Sequence, residues 1–558
     1  MLEHMNSDHG PESMHDFGPR IKNVPLRRRN NVRAPLHARD HDGTKMEITL
    51  VSNILAHNGP VNALAVAPDH AFFVSCSDDH TVKVWDTARL ERNVTRKPRH
   101  VYTQHHASVT SLCMLENSHC FASAASDGSL HVVRVHVTYS NTNVAKYGKI
   151  TIVREHRVDH AGEYITVLSH FNTENSSNLI YGTTHGNVVI LDLRTMRIVQ
   201  QFSNPVHFGA ITSMCVDRGR TWIVTGTLSG TLTLWDIRFG ISLKSWKVGF
   251  SHTMGTSSIN RRIHQCVTHP TNRQWILVSY EAMQDPQGDG NAILVEVWDL
   301  EKTSVVETFI SRDVSLPSRG QAAAMITSPN HSDLPASSIS QSPADAIAAL
   351  LASRNSSATS STATGPAASR LLNQQPQPQD LDIDVVPKRD VRSLVAGLDF
   401  GAQTGAAVIK DGFVFTGSGV GLSSASEKRN KDLGFVIMGS EDRKLRIWYP
   451  GQGQIERSMI VSGSDGETPL PSYSTIRSTI DSPPSHTEIW SHLGTREKER
   501  QRNATRSNFI GHYQQELLRS HRDCITAIAC IDSPFRGGIV SADRSGVIKV
   551  YRVLEGES

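Results

Sequence analysis

The sequence predicts an all-β protein, a seven-bladed β-propeller with long disordered insertions. Three observations predict it: a polar turn followed by an alternating strand recurs along the chain, seven copies are legible, and one extra strand precedes the first copy. The clearest copy runs from Asp78 to Trp85 and Asp86, and the final copy ends at Tyr551. Since one such unit cannot bury its apolar face alone, seven copies indicate a ring of stacked units.

The copies share the position at which the alternating strand ends. An aromatic residue stands there in five copies: Trp85, Trp235, Trp298, Trp448 and Tyr551. Through the fifth copy these positions are 44 to 63 residues apart, against about 40 to 45 for an undecorated repeat of this kind. The excess length falls in Asn-, Ser- or Gly-rich segments, which predicts long loops on the rim of the ring.

The extra strand predicts how the ring closes. Ile48, Leu50 and Ile54 alternate along it, whereas the last copy has sequence for only three strands. A strand over 46–55 that completes the last blade would leave neither end of the chain with a long unpaired edge.

Composition separates the blades from the insertions. The segment 311–390 is rich in Ser, Ala and Pro with almost no aromatics, so it cannot bury enough apolar surface to offset the entropy of ordering it. A predicted strand over 411–418 is assigned to the sixth blade. The predicted order is a disordered lead-in over 1–45, blades 1 to 5 over 46–310 with the closing strand 46–55, a disordered insertion over 311–390, blade 6 over 391–450, a flexible insertion over 451–510, and blade 7 over 511–554.

Charge and cysteine usage narrow the function classes. The 57 Lys and Arg nearly balance the 54 Asp and Glu, so no net field predicts a nucleic-acid partner. None of the seven cysteines forms a C-x-x-C pair, which is typical of buried thiols in a reducing compartment and predicts no metal site. No secretory signal and no apolar run of about 18 residues is present, so we expect membrane contact only through a partner.

A set of polar residues recurs with the strand. His57, Ser75 and Asp79 are placed to bond one another and Trp85, and His207 precedes Trp235 by 28 residues, as His57 precedes Trp85. A Ser/His/Asp set could be a catalytic triad, but repetition favours a buried network that holds each blade, because a catalytic site is expected once. The predicted network comprises His57, Ser75, Asp79, Trp85, Asp127, His207, Trp235, Trp298, Asp442, Trp448 and Tyr551.

Three fragments have the letters of protein-kinase motifs but not their order. His521, Arg522 and Asp523 spell a catalytic loop, yet Ile528 stands where the metal-binding Asn belongs. The Asp-Phe-Gly triplets at 16–18 and 399–401 both precede this fragment, and the glycine cluster at 417–421 lacks the following lysine motif. The sequence therefore predicts a protein without catalytic residues, cofactor or metal.

The repeats resemble WD repeats, because the turn Asp, the strand pattern and the terminal Trp-Asp agree in several copies. More narrowly, 48–553 resembles the C-terminal propeller of regulatory subunit 4 of class III phosphoinositide 3-kinase, the vacuolar-sorting kinase-like scaffold. The stretches that carry this resemblance are 55–62, 77–85, 226–239, 517–521 and 541–551.

That family has a kinase-like domain and a helical-repeat region before its propeller, so the resemblance implies that this sequence is a fragment or a truncated gene model, with a genuine short isoform as the alternative. It further implies a non-catalytic scaffold of the class III phosphatidylinositol 3-kinase complex in autophagy and endosomal or vacuolar sorting. The implied partners are the catalytic and beclin-type subunits, and the implied location is cytoplasmic, peripheral on endosomal and autophagic membranes through the complex. A generic adaptor, such as a ubiquitin-ligase substrate receptor, is the alternative, and a serine/threonine kinase is a third hypothesis.

Overall fold

A computed structural model describes the parts of the chain that form strands and their connecting turns. The described residues are 46–90, 97–140, 145–158, 160, 162–249, 260–281, 292–315, 389–397, 409–410, 413–414, 434–449, 455, 458–462, 471–477, 483–492, 520–531 and 538–555. The predicted lead-in over 1–45 and nearly all of the predicted insertion over 311–390 lie outside them.

Within the described residues, seven sheets of at least four strands follow one another along the chain, and all are antiparallel except for one added parallel strand in blade 5. Blade 1 is Val61–Val66, Phe72–Ser77, Val82–Asp86 and His100–Tyr102; blade 2 is Val109–Met114, Cys120–Ala125, Ser129–Tyr139 and Ala145–Arg157; blade 3 is Ile165–Asn172, Ser177–Thr183, Asn187–Asp192 and Arg197–Ser203; blade 4 is Ile211–Val216, Trp222–Thr227, Thr231–Asp236 and Ile241–Lys247.

Blade 5 is Ile263–Thr268, Trp275–Tyr280, Ala292–Asp299 and Ser304–Ser315, extended by Ser485–His492 and Ser472–Ile476; blade 6 is Val391–Gly397, Phe435–Ser440, Leu445–Trp448 and Met459–Ser462; blade 7 is Ile525–Ile531, Gly538–Asp543, Val547–Glu555 and Met46–Leu55. Short 3₁₀ turns lie at Thr87–Arg89 and Val206–Phe208, and Ile409–Lys410 pairs with Phe413–Val414.

The hydrophobic core shows why the blades form a ring. It consists of seven clusters among the described residues, and each joins the facing sheets of two consecutive blades. Phe73 and Trp85 of blade 1, for example, pack with Val540 of blade 7. Because every blade has a partner on both faces and the last cluster joins blade 7 to blade 1, the core closes on itself. The predicted seven-bladed fold is confirmed.

The strand that precedes the first repeat completes the last blade. Met46–Leu55 pairs antiparallel with Val547–Glu555. A register shift between Leu50 and Ser52 changes the face that the strand presents. Ile48 and Leu50 therefore pack between blades 6 and 7, whereas Ile54 packs between blades 7 and 1.

The innermost strand of every blade carries the same irregularity, a register shift around its second residue. In several blades the side chain of the residue at this shift donates a hydrogen bond to the innermost strand of the next blade. Asn62 Nδ2 donates to the Val109 carbonyl (2.8 Å), and the hydroxyls of Thr110 and Thr166 donate to the Ile165 and Ile211 carbonyls at 2.7 and 2.6 Å. These bonds join consecutive inner strands in addition to the apolar contacts.

The expectation of a flexible insertion over 451–510 is corrected by the structure. Met459–Ser462 is the outer strand of blade 6, and Ser485–His492 runs parallel to Ser304–Ser315 on the edge of blade 5. The apolar residues that hold them are few and scattered among Ser, Pro and Gly: Ile460, Val461 and Trp490 are each less than 9% exposed. Local composition therefore conceals strands that long-range packing stabilises.

The predicted boundary of blade 6 is also wrong, because local composition conceals its outer strand. Its predicted end at 450 falls before the outer strand Met459–Ser462, and Phe413–Val414, within the predicted strand 411–418, pairs with Ile409–Lys410 instead of joining blade 6. The predicted insertion also begins later than 311, because Ser304–Ser315 continues as a strand.

Candidate functional site

Blade 1 contains the complete predicted network. His57 Nδ1 lies 2.9 Å from Asp79 Oδ2, and His57 Nε2 lies 2.7 Å from Ser75 Oγ. Because a carboxylate only accepts, Nδ1 carries the proton of the neutral ring and Nε2 accepts the Ser75 hydroxyl. Trp85 Nε1 also donates to Ser75 Oγ, at 2.9 Å. The four residues thus link the entry to the blade, its second strand, its turn and its third strand.

Blade 7 repeats this arrangement with three residues that are not in the predicted network. His521 Nδ1 donates to Asp543 Oδ2 at 2.9 Å, and the Ser541 hydroxyl donates to His521 Nε2 at 2.6 Å. Asp543 lies eight residues before Tyr551, whereas Asp79 lies six before Trp85. The carboxylate therefore reaches the same histidine nitrogen from a different turn position, so a search at fixed spacing misses it.

These two sets have the bonding of a Ser/His/Asp triad but not its exposure. Ser75 and Ser541 are 0% exposed, so a substrate cannot reach either hydroxyl. Burial lowers the pKa of His57 to about 4, against the opposing effect of the Asp79 carboxylate. Burial likewise lowers the pKa of His521, opposed by Asp543. Neutral, inaccessible histidines in two blades favour a structural role.

Blade 2 also links a histidine, a serine and an aspartate, but an additional serine stands between the histidine and the aspartate. His105 Nε2 lies 2.8 Å from Ser123 Oγ, and His105 Nδ1 lies 3.2 Å from Ser129 Oγ. The Ser129 hydroxyl donates to Asp127 at 2.6 Å. Asp127 is thus connected to the blade histidine through Ser129. The sequence prediction included Asp127 but missed His105, which also stacks on His131 with ring centroids 4.3 Å apart.

The prediction for His207 is corrected. This side chain is exposed and lies in the 3₁₀ turn Val206–Phe208, where its ring contacts Phe208. Asn204 takes the place of the histidine instead: its amide donates to Thr225 Oγ1 at 3.5 Å, and Trp235 Nε1 donates to the same oxygen at 3.2 Å. Because the added turn lengthens the entry to blade 4, the equal 28-residue spacing does not mark an equivalent position.

In blades 3 and 5 the carboxylate that accepts hydrogen bonds within the blade belongs to a glutamate. Glu163 of blade 3 accepts from Asn187 Nδ2 at 2.8 Å and from the Thr183 hydroxyl. In blade 5, Trp298 Nε1 donates to Glu296 Oε2 at 2.9 Å. The Tyr280 hydroxyl donates to Glu296 Oε1 at 2.7 Å. The sequence prediction included Trp298 but missed its carboxylate partner.

Blade 6 replaces the histidine network with buried charges. Arg446, fully buried, contacts Asp442 Oδ2 at 2.6 Å and Glu488 Oε2 at 3.0 Å. Although burial acts to raise the pKa of Asp442, the Arg446 charge holds that pKa at about 2. Trp448 is 0% exposed and its Nε1 has no hydrogen-bond partner among the described residues. It packs edge-on against Phe309, with ring centroids 5.0 Å apart.

Glu488 comes from the added strand of blade 5, so this cluster joins two blades. Ser311 of blade 5 donates to Glu488 at 3.1 Å, and Arg389, just before blade 6, donates to Ser311 Oγ at 3.1 Å. Trp490 Nε1 also donates to Glu488. The added strand is therefore part of the joint between blades 5 and 6.

Neither a metal-binding cluster nor a membrane-spanning helix is found among the described residues. Across them, no group of three or more His, Cys, Asp or Glu side chains is arranged to hold a metal ion. The same part of the chain contains no helix that is long and apolar enough to cross a membrane.

Three stretches of the chain, 48–86, 96–133 and 198–236, match the family model described as WD domain, G-beta repeat. They correspond to the closing strand with three strands of blade 1, the outer strand of blade 1 with most of blade 2, and the outer strand of blade 3 with most of blade 4. The chain is a seven-bladed WD-repeat β-propeller. The WD signature thus covers only part of the ring, and the structure supplies the other blades.

The WD-repeat propeller is also similar to proteins named as vps15 kinases. It is 39% identical over 36% of this chain to the probable serine/threonine-protein kinase vps15 of Dictyostelium discoideum. It is 29% identical over 44% of the chain to the putative serine/threonine-protein kinase VPS15 of Komagataella pastoris, and 31% identical over 37% to the VPS15 of Arabidopsis thaliana. These similarities confirm the resemblance drawn from the sequence.

The alignments cover only 10%, 17% and 14% of those three relatives. The chain therefore spans a small part of each relative's length. The described residues form a propeller and contain no kinase-like fold.

The buried histidines predict how stability depends on pH. The pKa of His57 falls from 6.5 in the unfolded chain to about 4 in the folded one. Between these values the unfolded chain binds the additional proton, so stability decreases as the pH falls through this window. A shift of this size corresponds to about 3 kcal/mol. His105, His170 and His269, whose pKa values are also lowered by burial, act in the same direction.

Urea titrations between pH 7 and pH 4 measure this effect. His57→Asn, which places in blade 1 the residue type that blade 4 uses at Asn204, should lose less stability on acidification than the wild type. The exposed histidine offers a matched control, because His207→Asn should keep the wild-type pH dependence. Equal pH dependence of the wild type and His57→Asn would contradict the assignment.

Proposed function

We propose that this chain is a non-catalytic scaffold module of a class III phosphatidylinositol 3-kinase complex that acts in autophagy and in endosomal or vacuolar sorting. The observation that carries the proposal is the similarity of the WD-repeat propeller to vps15 proteins over blades rather than over a kinase domain. A rigid ring with long loops offers several surfaces at once, which suits a protein that holds others together.

The polar networks support a scaffold role in preference to catalysis. Ser75 and Ser541 lie inside the blades at 0% exposure, and both are bonded to a histidine. His521, the first residue of the kinase-like triplet, is held by Asp543 and Ser541 and is 2% exposed. These groups are used within the fold, which leaves loops and outer strands for partners.

The proposed partners are the catalytic subunit and the beclin-type subunit of the complex. We place the chain in the cytoplasm, and on endosomal and autophagic membranes through these subunits. The similarity to vps15 proteins supports association with such a complex.

Affinity capture of the purified full chain with the recombinant catalytic and beclin-type subunits tests the proposal. We expect both subunits to be recovered at micromolar concentration. His57→Asn should retain binding, since His57 is 2% exposed and cannot contact a partner. Absence of association at that concentration would refute the proposal, and recovery with ubiquitin-ligase components instead would favour the generic adaptor.

A further inference from the structure

The outer strands of blades 3 and 4 expose an unusual number of apolar side chains. Five large apolar residues on or beside these strands are between 46% and 69% exposed: Ile198, Val199, Phe239, Ile241 and Leu243. We refer to them as the outer patch. Among the described residues, each of the other outer strands has at most one such side chain, as with Leu55, Val101 and Ile152. Concentrated exposed apolar surface of this kind marks an interaction site.

The two halves of the outer patch are held together. In the orientation that satisfies both of its bonds, the Gln200 amide donates to the Ile237 carbonyl at 2.7 Å and accepts from the Gly240 amide at 2.8 Å. These two residues flank Phe239 in the turn that leads to the outer strand of blade 4. Beneath the patch, Phe202 of blade 3 packs against Trp235 of blade 4, with ring centroids 4.6 Å apart.

The charges around the outer patch are mainly basic. Arg197, Arg238 and Lys244 are exposed on the same outer strands and turn. The acids of these turns, Asp192 and Asp236, are 7% exposed. Asp192 accepts from the Thr195 hydroxyl at 2.9 Å, and Asp236 accepts from the Arg238 guanidinium at 2.7 Å. Arg238 is thus paired with Asp236, and Lys244 Nζ donates to the backbone carbonyl of Glu301, whose side chain is exposed. Arg197 and Lys244 still present positive charge beside the patch, so the surface favours a partner that combines apolar with acidic side chains.

The backbone of these strands is also available. Among the strands that the structure describes, Arg197–Ser203 and Ile241–Lys247 each pair with a neighbour on one side only. Ile241 and Leu243 are 53% and 50% exposed. Leu243 lies at a register shift between Ser242 and Lys244, so strand alternation does not fix the face of its side chain. Blade 5 shows that an outer edge of this propeller accepts a further strand, because Ser485–His492 pairs in parallel with Ser304–Ser315.

We infer that the outer patch binds an extended acidic and apolar segment of a partner protein, which adds as a strand to the edge of Ile241–Lys247. Backbone hydrogen bonds along the edge would supply affinity. Apolar side chains of the segment would cover Ile241 and Leu243, and its acidic side chains would face Arg197 and Lys244. The inference rests on the proposed function, because it names the surface by which the scaffold holds one partner.

A model peptide tests the inference without any subunit of the lipid-kinase complex. The probe is a peptide of about ten residues, the upper length of an ordinary strand, in which glutamate alternates with valine. We expect the full chain to bind it, and the double variant Ile241→Glu, Leu243→Glu to bind it at least about tenfold more weakly. Ile152→Glu, an exposed apolar position on the outer strand of blade 2, should bind like the wild type.

Two further probes separate strand addition from simple apolar or charge contact. The same peptide with N-methyl groups on alternate residues cannot complete the edge hydrogen bonds, and a lysine–valine peptide opposes the basic rim. Neither should bind. A urea titration of the double variant should match the wild type, since both substituted side chains are exposed.

Four results would overturn the inference: no binding of the glutamate–valine peptide to the wild type, equal binding to the double variant, equal binding of the N-methylated peptide, or equal binding of the lysine–valine peptide. Loss of binding to phosphatidylserine-containing vesicles in the double variant, without peptide binding, would assign the patch to a membrane surface. A change in self-association on sedimentation, without peptide binding, would assign it to a second copy. Because no lipid-kinase subunit is present, a failure here is distinct from failure of the affinity capture.

Discussion

Glu488→Ala is expected to destabilise the protein by about 3 to 5 kcal/mol, the usual cost of removing one partner of a buried ion pair. Arg446, fully buried, lies between Asp442 and Glu488. Without Glu488, the guanidinium would keep one carboxylate, and Arg389 nearby would lose an indirect link to that acid through Ser311. The Arg446 charge would then be incompletely compensated at a position that is buried from solvent.

The midpoint of urea unfolding measures this loss. Glu174→Ala removes an exposed carboxylate and should leave the midpoint unchanged. The triple variant Asp442→Asn, Arg446→Met, Glu488→Leu, which removes all three charges, should recover much of the stability that Glu488→Ala loses, since uncharged side chains can replace a buried ionic cluster. An unchanged midpoint for Glu488→Ala would show that the strand Ser485–His492 is not docked against blade 6.

Trp235→Ala should cost about 3 to 5 kcal/mol, as expected for truncation of a large core side chain. Trp235 is 5% exposed, packs against Phe202 across the joint between blades 3 and 4, and donates to Thr225 Oγ1 at 3.2 Å. The substitution leaves a cavity between two blades and removes one of the two donors to Thr225 Oγ1.

A denaturant titration at neutral pH measures this second effect. Trp246→Ala is the matched comparison, because Trp246 is half-buried on the outer strand of the same blade and should cost less. A change near zero for Trp235→Ala would show that the indole does not fill the joint between the blades.

Much of the ring could be predicted because its signals are local. The alternation of Ile48, Leu50 and Ile54 identifies a strand, and that strand completes blade 7 by pairing with Val547–Glu555. The turn and the strand-ending aromatic likewise lie within a few residues of each other. Trp235 pairs with Ile223 as Trp85 pairs with Phe73, so one sequence pattern produces one geometry.

The parts of the site that the sequence did not predict depend on contacts between residues far apart in the chain. Arg446 and Glu488 are 42 residues apart, and nothing in the Ser-rich sequence around Glu488 marks it as the partner of a buried arginine. The prediction for His207 is wrong for a different reason. Its spacing from Trp235 equals that of His57 from Trp85, but the turn Val206–Phe208 places its side chain outside the blade.

The most direct test of the account compares ATP turnover with stability for His521→Asn, measured on the same preparations as the wild type and Asp523→Ala. We predict no ATP turnover by the wild-type chain and a lower urea midpoint for His521→Asn, because His521 links Ser541 and Asp543 inside blade 7. ATP turnover by the wild type that is abolished by Asp523→Ala or His521→Asn, with the midpoint unchanged, would contradict the conclusion that these residues hold a blade rather than catalyse a reaction.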